Sequence, residues 1–118
     1  MEASIPEGHA FLHLIRAAIY EFIGACLTVC AFNFTQTSYM GRAFVYFVGW
    51  IIAVSVSGAH FNPATSLGVY LAEGKYLRQI GRLIIYWFFQ LCGAFLAILF
   101  VYMVFNEPFN GFFLWPEA

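Results

Sequence analysis

Three long stretches of this 118-residue chain carry no aspartate, glutamate, lysine or arginine. The first has 20 residues, between Glu21 and Arg42, and the third has 24, between Arg82 and Glu107. Each suits one membrane helix, because about 20 residues rising 1.5 Å each cross a hydrocarbon core of about 30 Å. The middle stretch, between Arg42 and Glu73, has 30 residues, which is too long for one crossing and too short for two. The pattern predicts an all-α integral membrane protein.

The composition excludes the other broad classes. Apolar residues make up 63% of the chain and charged residues 9%, against roughly 25% charged in soluble domains. The mean hydropathy is +0.80, and a net charge of −1 offers no basic surface to a nucleic acid. No nucleophile–base pair, phosphate loop or metal-ligand cluster is visible, so we expect no enzyme, no metal and no cofactor. We predict one domain, 1–118, with spans near 14–36, 43–57 and 83–105 and an interfacial tail at 106–118.

Basic residues predict the orientation. One side carries Arg16, Lys75, Arg78 and Arg82, and the opposite side carries Arg42 alone. The positive-inside rule therefore places the N-terminus on the inner side, cytoplasmic or matrix. The sequence does not distinguish the plasma membrane from an organelle inner membrane.

The middle stretch is interrupted at Asn62-Pro63. Proline lacks an N–H donor and disfavours helix in the residue before it, but it fits the first turn of a new helix with asparagine as the N-cap. We therefore predict a re-entrant loop and half-helix over 58–72. The positive end of the half-helix dipole would lie near the membrane middle, where the Asn62 amide and the loop carbonyls could bind a small neutral solute.

Two polar side chains, Glu21 and Gln90, fall inside apolar spans. A carboxylate at that depth costs about 2.5–3.5 kcal/mol, so Glu21 is either an interfacial residue near Arg16 or an acceptor for N–H groups of the loop. Small and polar residues share a face with each of them, a pattern that is also typical of ordinary close packing between membrane helices. We expect both stripes to face inward and to pack on another protein. The stripes are Ala17, Glu21, Gly24, Thr28 and Thr35 in the first span, and Gln90, Gly93, Ala94, Ala97 and Val101 in the third.

Residues 57–68, SGAHFNPATSLG, resemble the first Asn-Pro-Ala loop of the major intrinsic proteins, the aquaporins and glycerol facilitators. Thr65 and Ser66 replace the usual valine and threonine after the motif. Residues 21–24, EFIG, look like the family's first-helix glutamate motif, and residues 86–94, YWFFQLCGA, look like its third-helix glutamine motif. The resemblance extends from residue 16 to residue 104.

The resemblance implies half of an aquaporin bundle, with three transmembrane helices and one re-entrant half-helix that carries Asn-Pro-Ala. It implies a pore loop made by Gly58, Ala59, His60, Asn62, Pro63 and Ala64, with Glu21 and Gln90 supporting it.

The resemblance also shows what these 118 residues do not contain. The family's channel consists of two inverted repeats, and the sequence supplies the first repeat only, without a second Asn-Pro-Ala loop or the pore arginine that follows it. An ungapped count back from Asn62 to the family's narrow filter lands on Arg42. Arg42 is therefore a suspected filter residue, unless it caps the outer end of the second span and extends to the interface.

Two functions follow from this pattern. The first, which we favour, is an aquaporin-related subunit without channel activity of its own that serves as a structural component of a larger membrane complex. The second is a half-channel for water or small neutral solutes, completed by a separate second-repeat partner. The expected partners are other membrane protein subunits and lipids, with a conducted solute in the second case. A homodimer is disfavoured, because pore symmetry needs inverted copies and the charge bias resists inversion.

Overall fold

The computed structural model describes residues 7–35 and 37–105, so the predicted tail at 106–118 lies outside the described residues. The described residues form four α-helices: α1 (Glu7–Phe34), α2 (Tyr39–Ala53), α3 (Pro63–Glu73) and α4 (Tyr76–Phe105). At 1.5 Å per residue, α1 is about 42 Å long and α4 about 45 Å, more than the thickness of a hydrocarbon core.

Two of the described helices, α1 from Gly8 and α4, are long and apolar enough to cross a membrane, and α2 is a shorter apolar helix. Large apolar side chains lie on their outer faces. Phe88 and Phe95 on α4 are each 63% exposed, and Leu91 between them is 61% exposed. Since these side chains point away from the packed interior, the outer face of α4 is suited to contact lipid.

The helices depart from the predicted spans at their ends. α2 ends at Ala53 and residues 54–57 form turns, whereas the predicted span continues to 57. α4 begins at Tyr76, so Arg78 and Arg82 lie on its first turns and not in a connection. Only two residues, 74 and 75, therefore join α3 to α4.

α1 and α4 pack against each other through small residues. Ala18 and Ala97 have no exposed surface, and a Cβ atom added to Gly93 would lie 2.2 Å from the carbonyl oxygen of Phe22. The two helices therefore approach to backbone contact at Gly93, as small residues allow in membrane helices. Gly93 and Ala97 of the third-span stripe are therefore buried within the chain, and the expectation that the two stripes pack on another protein stays a prediction.

The short helix α3 packs against α4. It begins at Pro63 with Asn62 as its N-cap, and it ends at Gly74, whose φ of 66° closes the helix in a left-handed conformation. At the same end, the Tyr70 hydroxyl donates to the Tyr76 carbonyl at 3.0 Å, and the two rings lie 5.4 Å apart. These contacts join the C-terminal end of α3 to the first turn of α4.

Candidate functional site

The backbone before α3 is strained. Gly58 has φ of 89°, and two residues with side chains, Ala59 and Phe61, have φ of 52° and 54°. Left-handed conformations at non-glycine residues cost of order 1–3 kcal/mol each and persist where the surroundings impose them. Strong support from outside the loop is therefore required to hold this shape.

Glu21 provides that support from α1. Its side chain is fully buried, and Oε1 accepts hydrogen bonds from the Ser57 hydroxyl at 2.6 Å and from the His60 N–H at 3.0 Å. Its Oε2 accepts from the Phe61 N–H at 2.6 Å and from Gln90 Nε2 at 2.8 Å. Both carboxylate oxygens of Glu21 therefore hold the loop, and one of them also joins it to α4 through Gln90.

Gln90 extends the network from α4 to α3. Its Nε2 also donates to the Ser66 hydroxyl oxygen at 2.9 Å, and that oxygen lies 3.0 Å from His60 Nδ1. We assign the Ser66 hydroxyl proton to His60 Nδ1, which leaves the imidazole proton on Nε2. Gln90 Oε1 is buried and has no hydrogen-bond partner among the described residues. The amide therefore links α1 and α3 through its nitrogen alone.

Ser57 joins the start of the loop to α4. Its hydroxyl oxygen accepts from the Ala59 N–H at 3.0 Å, and its carbonyl accepts from the Tyr86 hydroxyl at 2.7 Å. The guanidinium of Arg82 reaches the same carbonyl at 3.4 Å and lies 5.1 Å from the centre of the Tyr86 ring. These contacts attach α4 to the loop at Ser57, directly before the positive-φ residues that begin at Gly58.

Asn62 lies at the tip of the loop and is exposed. Its Oδ1 accepts from the Ala64 N–H at 2.8 Å, as an N-cap does. Since the oxygen is used within the chain and the residue is exposed, the amide Nδ2 is left to bind a group outside the described residues. Trp87 on α4 donates from Nε1 to the Pro63 carbonyl at 2.9 Å and so fixes the first turn of α3. The tip presents amide donors beside the positive end of the α3 dipole, which repels cations.

Arg42 lies away from this loop, at the connection of α1 and α2. Its Nε donates to the Thr35 carbonyl at 3.1 Å. Its guanidinium carbon lies 5.0 Å from the Phe32 ring centre and 5.6 Å from that of Tyr39. A role for Arg42 in a filter stays a prediction.

A small cavity adjoins the network between α3 and α4. Its volume of about 20 Å³ is enough for roughly one water molecule. The cavity is lined by His60, Ser66, Val69, Tyr70, Glu73, Gln79, Arg82, Leu83 and Tyr86.

Among the residues that the structure describes, no three His, Cys, Asp or Glu side chains are grouped to hold a metal ion.

The structure brings the predicted loop residues together with Glu21 and Gln90 and leaves Arg42 apart. Sequence reasoning missed the parts that Ser57, Ser66 and Tyr86 play. Two signals were available, since both serines lie in the segment 57–68, and Tyr86 precedes Gln90 by four residues, which is one helical turn. The contacts that join them to other helices do not show in the spacing, because Ser57 lies 36 positions from Glu21, Ser66 lies 24 from Gln90 and Tyr86 lies 29 from Ser57.

Comparisons with known proteins agree on one family. The sequence model described as "Major intrinsic protein" matches residues 9–114. A probable TIP-type aquaporin of Antirrhinum majus is 40% identical over 110 aligned residues, covering 78% of this chain and 43% of that protein. Aquaporin-8 of Rattus norvegicus is 39% identical over 87 residues, covering 70% of this chain and 31% of that protein.

A probable aquaporin TIP2-2 of Arabidopsis thaliana is 40% identical over 67 residues, or 57% of this chain and 26% of that protein. The chain thus spans less than half the length of these relatives. No solved structure matches the chain.

Proposed function

The chain belongs to the major intrinsic protein family, and from this premise we propose that its 118 residues form a membrane subunit that conducts nothing alone and packs against further polypeptide in a larger assembly. Membership makes the chain a channel-related integral membrane protein. Major intrinsic proteins are channels and not enzymes, so no catalytic role is assigned to the loop.

The open side of the Asn62 loop carries this proposal. Gly58, Asn62, Ala64 and Thr65 are all exposed, although the backbone beside them is held by buried hydrogen bonds. In the part of the chain that the structure describes, no element lies opposite this side. Irregular backbone is tolerated at membrane depth only where protein or water covers it. A second polypeptide segment on this side would meet that requirement.

The proposed membrane arrangement combines the helix lengths with the distribution of basic residues. α1 and α4 cross the bilayer, and the shorter α2 crosses it together with the turn at 54–57 that follows it. α3, about 16 Å long, covers about half of the core and returns to the inner side, where α2 ends. The N-terminus of α1 and the α3–α4 connection, with Lys75 and Arg78, then face the inner side. In this arrangement Arg42 lies at the outer end of α2, where its side chain packs on aromatic rings at the interface.

Site-specific photo-crosslinking tests whether protein covers the loop. A benzophenone amino acid replaces Thr65 on the open side of the loop, and in a matched control it replaces Leu91 on the outer face of α4. The proposal predicts protein adducts from position 65 and lipid adducts from position 91, in the membrane where the chain is expressed. Native mass spectrometry of the purified assembly then gives the mass of the added chain. Lipid adducts alone at both positions would contradict the proposal.

The half-channel is a second candidate, and one observation favours it. Hydrogen bonds to Glu21 hold the loop in a strained shape that leaves Asn62 exposed at its tip, which a purely structural subunit does not need. The relatives carry the name aquaporin, so water is the solute that this candidate would conduct. Co-reconstitution with the captured partner separates the two candidates. Water flux that Asn62→Asp abolishes supports the half-channel, and absence of flux supports the structural subunit.

A further inference from the structure

Phe61 fills a slot between the helices α1 and α2. Its side chain is 5% exposed, and its ring lies against Gly24 of α1 and Gly49 of α2. A Cβ atom on Gly24 would be 2.0 Å from ring atoms Cδ1 and Cε1, and a Cβ atom on Gly49 would be 3.4 Å from Cε2. Tyr46 closes the slot edge-on, with ring centres 6.0 Å apart and planes at 81°. At Gly24 no residue other than glycine leaves room for this ring.

Phe61 is also the last residue before Asn62, and it is held at two points. Its N–H donates to Glu21 Oε2, and its ring is fixed in the slot formed by Gly24 and Gly49. The hydrogen bond alone fixes the position of one nitrogen. The ring also fixes the direction of the Cα–Cβ bond of Phe61. With the nitrogen and this bond both fixed, the orientation of the peptide group between Phe61 and Asn62 is set. This explains how Phe61 is kept at a φ of 54°.

We propose that Phe61 is a positioning residue for Asn62. Its ring, locked between Gly24 and Gly49, directs the Asn62 side chain onto the Ala64 N–H and leaves the amide Nδ2 to bind a group outside the described residues. The inference rests on the proposed function only in taking Asn62 as the residue that a solute or a partner would meet. Phe61 itself contacts neither.

Hydrogen exchange of single amides tests the inference in the full chain in lipid bilayers. The Ala64 N–H reports the Asn62 cap, whereas the His60 N–H, bound to Glu21 Oε1, reports the rest of the loop. Gly24→Ala pushes the ring out of the slot, and Phe61→Leu leaves the slot partly empty. Each change should speed exchange at Ala64 by about fivefold or more, the effect of losing an N-cap, and leave His60 within about twofold.

A compensating pair and a matched control make the test specific. In the double variant Gly24→Ala/Phe61→Leu, the alanine methyl group occupies part of the space that the smaller leucine side chain leaves empty. This variant should therefore restore slow exchange at Ala64. Gly81→Ala is the control, because its Cβ would meet nothing within 4 Å, and it should leave both amides unchanged.

Unchanged exchange at Ala64 in Gly24→Ala and in Phe61→Leu would overturn the inference, as would equal acceleration at Ala64 and His60. The first result would make the ring a space-filler, and the second would make it a support for the whole loop. If Gly24→Ala does not insert, Phe61→Leu alone decides. No partner and no conduction enter the readout, so this test and that of the proposed function fail independently.

Discussion

The carboxylate of Glu21 on α1 lies 2.6 Å from the backbone nitrogen of Phe61, 40 positions later in the chain. This contact joins the middle of the first helix to the last residue before Asn62. Since both carboxyl oxygens of Glu21 accept hydrogen bonds from backbone N–H groups of the loop, the shape of the loop depends on one buried side chain. The site is therefore sensitive to substitutions on a helix that contributes nothing to its exposed surface.

Glu21→Gln should destabilise the protein by roughly 2–3 kcal/mol. The glutamine amide keeps one acceptor oxygen and turns its N–H donors toward the donors on the other side, either Ser57 and His60 or Phe61 and Gln90. Thermal unfolding in detergent, followed by circular dichroism, measures the loss. Glu73→Gln is the control, because that carboxylate is exposed. Equal midpoints for the two variants would show that the buried Glu21 carboxyl group does not support the fold.

Gly93→Ala should destabilise the contact of α1 with α4. The new Cβ would lie 2.2 Å from the Phe22 carbonyl oxygen, which is backbone and cannot rotate away. We expect a loss of about 1–3 kcal/mol, as for an overpacked core. Gly81→Ala on the same helix enters open space and should be neutral or stabilising by up to about 1 kcal/mol. If the Gly93→Ala protein is as stable as the Gly81→Ala protein, α1 and α4 can move apart to fit the methyl group without loss of stability, which would contradict the prediction.

Tyr86→Phe should cost about 1–1.5 kcal/mol, because it removes the buried donor to the Ser57 carbonyl. Tyr70→Phe removes a hydroxyl from an exposed hydrogen bond to Tyr76 and should cost less than Tyr86→Phe. Denaturant titration of both variants in the same detergent gives the comparison. The assignment of Tyr86 as a support of the loop requires that it be the more costly of the two.

Much of the chain's organisation could be predicted from the sequence, because it depends on local rules. Asn62-Pro63 marks a helix start through capping and the missing proline N–H, and the described helix α3 begins there. The apolar stretches likewise indicate α1 and α4 as the two membrane-length helices. The buried stripe around Gly93 could be read from spacing, but its partner could not. Small residues permit close approach without specifying the helix that approaches.

The supports of the loop depend on contacts that spacing does not reveal. Gln90 and Glu21 are 69 positions apart and Tyr86 and Ser57 are 29 apart, so only the fold brings each pair together. The role of Phe61 is hidden for a further reason, since a phenylalanine in an apolar span is indistinguishable from one that faces lipid. For Arg42 the sequence suggests a role that its contacts in the structure do not explain. A count along the sequence suggests a filter, while the side chain contacts Phe32 and Thr35, and its role in conduction stays a prediction.

Osmotic shrinkage of liposomes that contain only this chain tests the central claim most directly. Stopped-flow light scattering compares them with protein-free vesicles and with vesicles that hold a full-length aquaporin at the same protein-to-lipid ratio. The account predicts shrinkage no faster than in protein-free vesicles, because the described residues leave the Asn62 side of the loop open. Fast shrinkage that Asn62→Asp abolishes would contradict it and would show that the chain forms a water pore by itself.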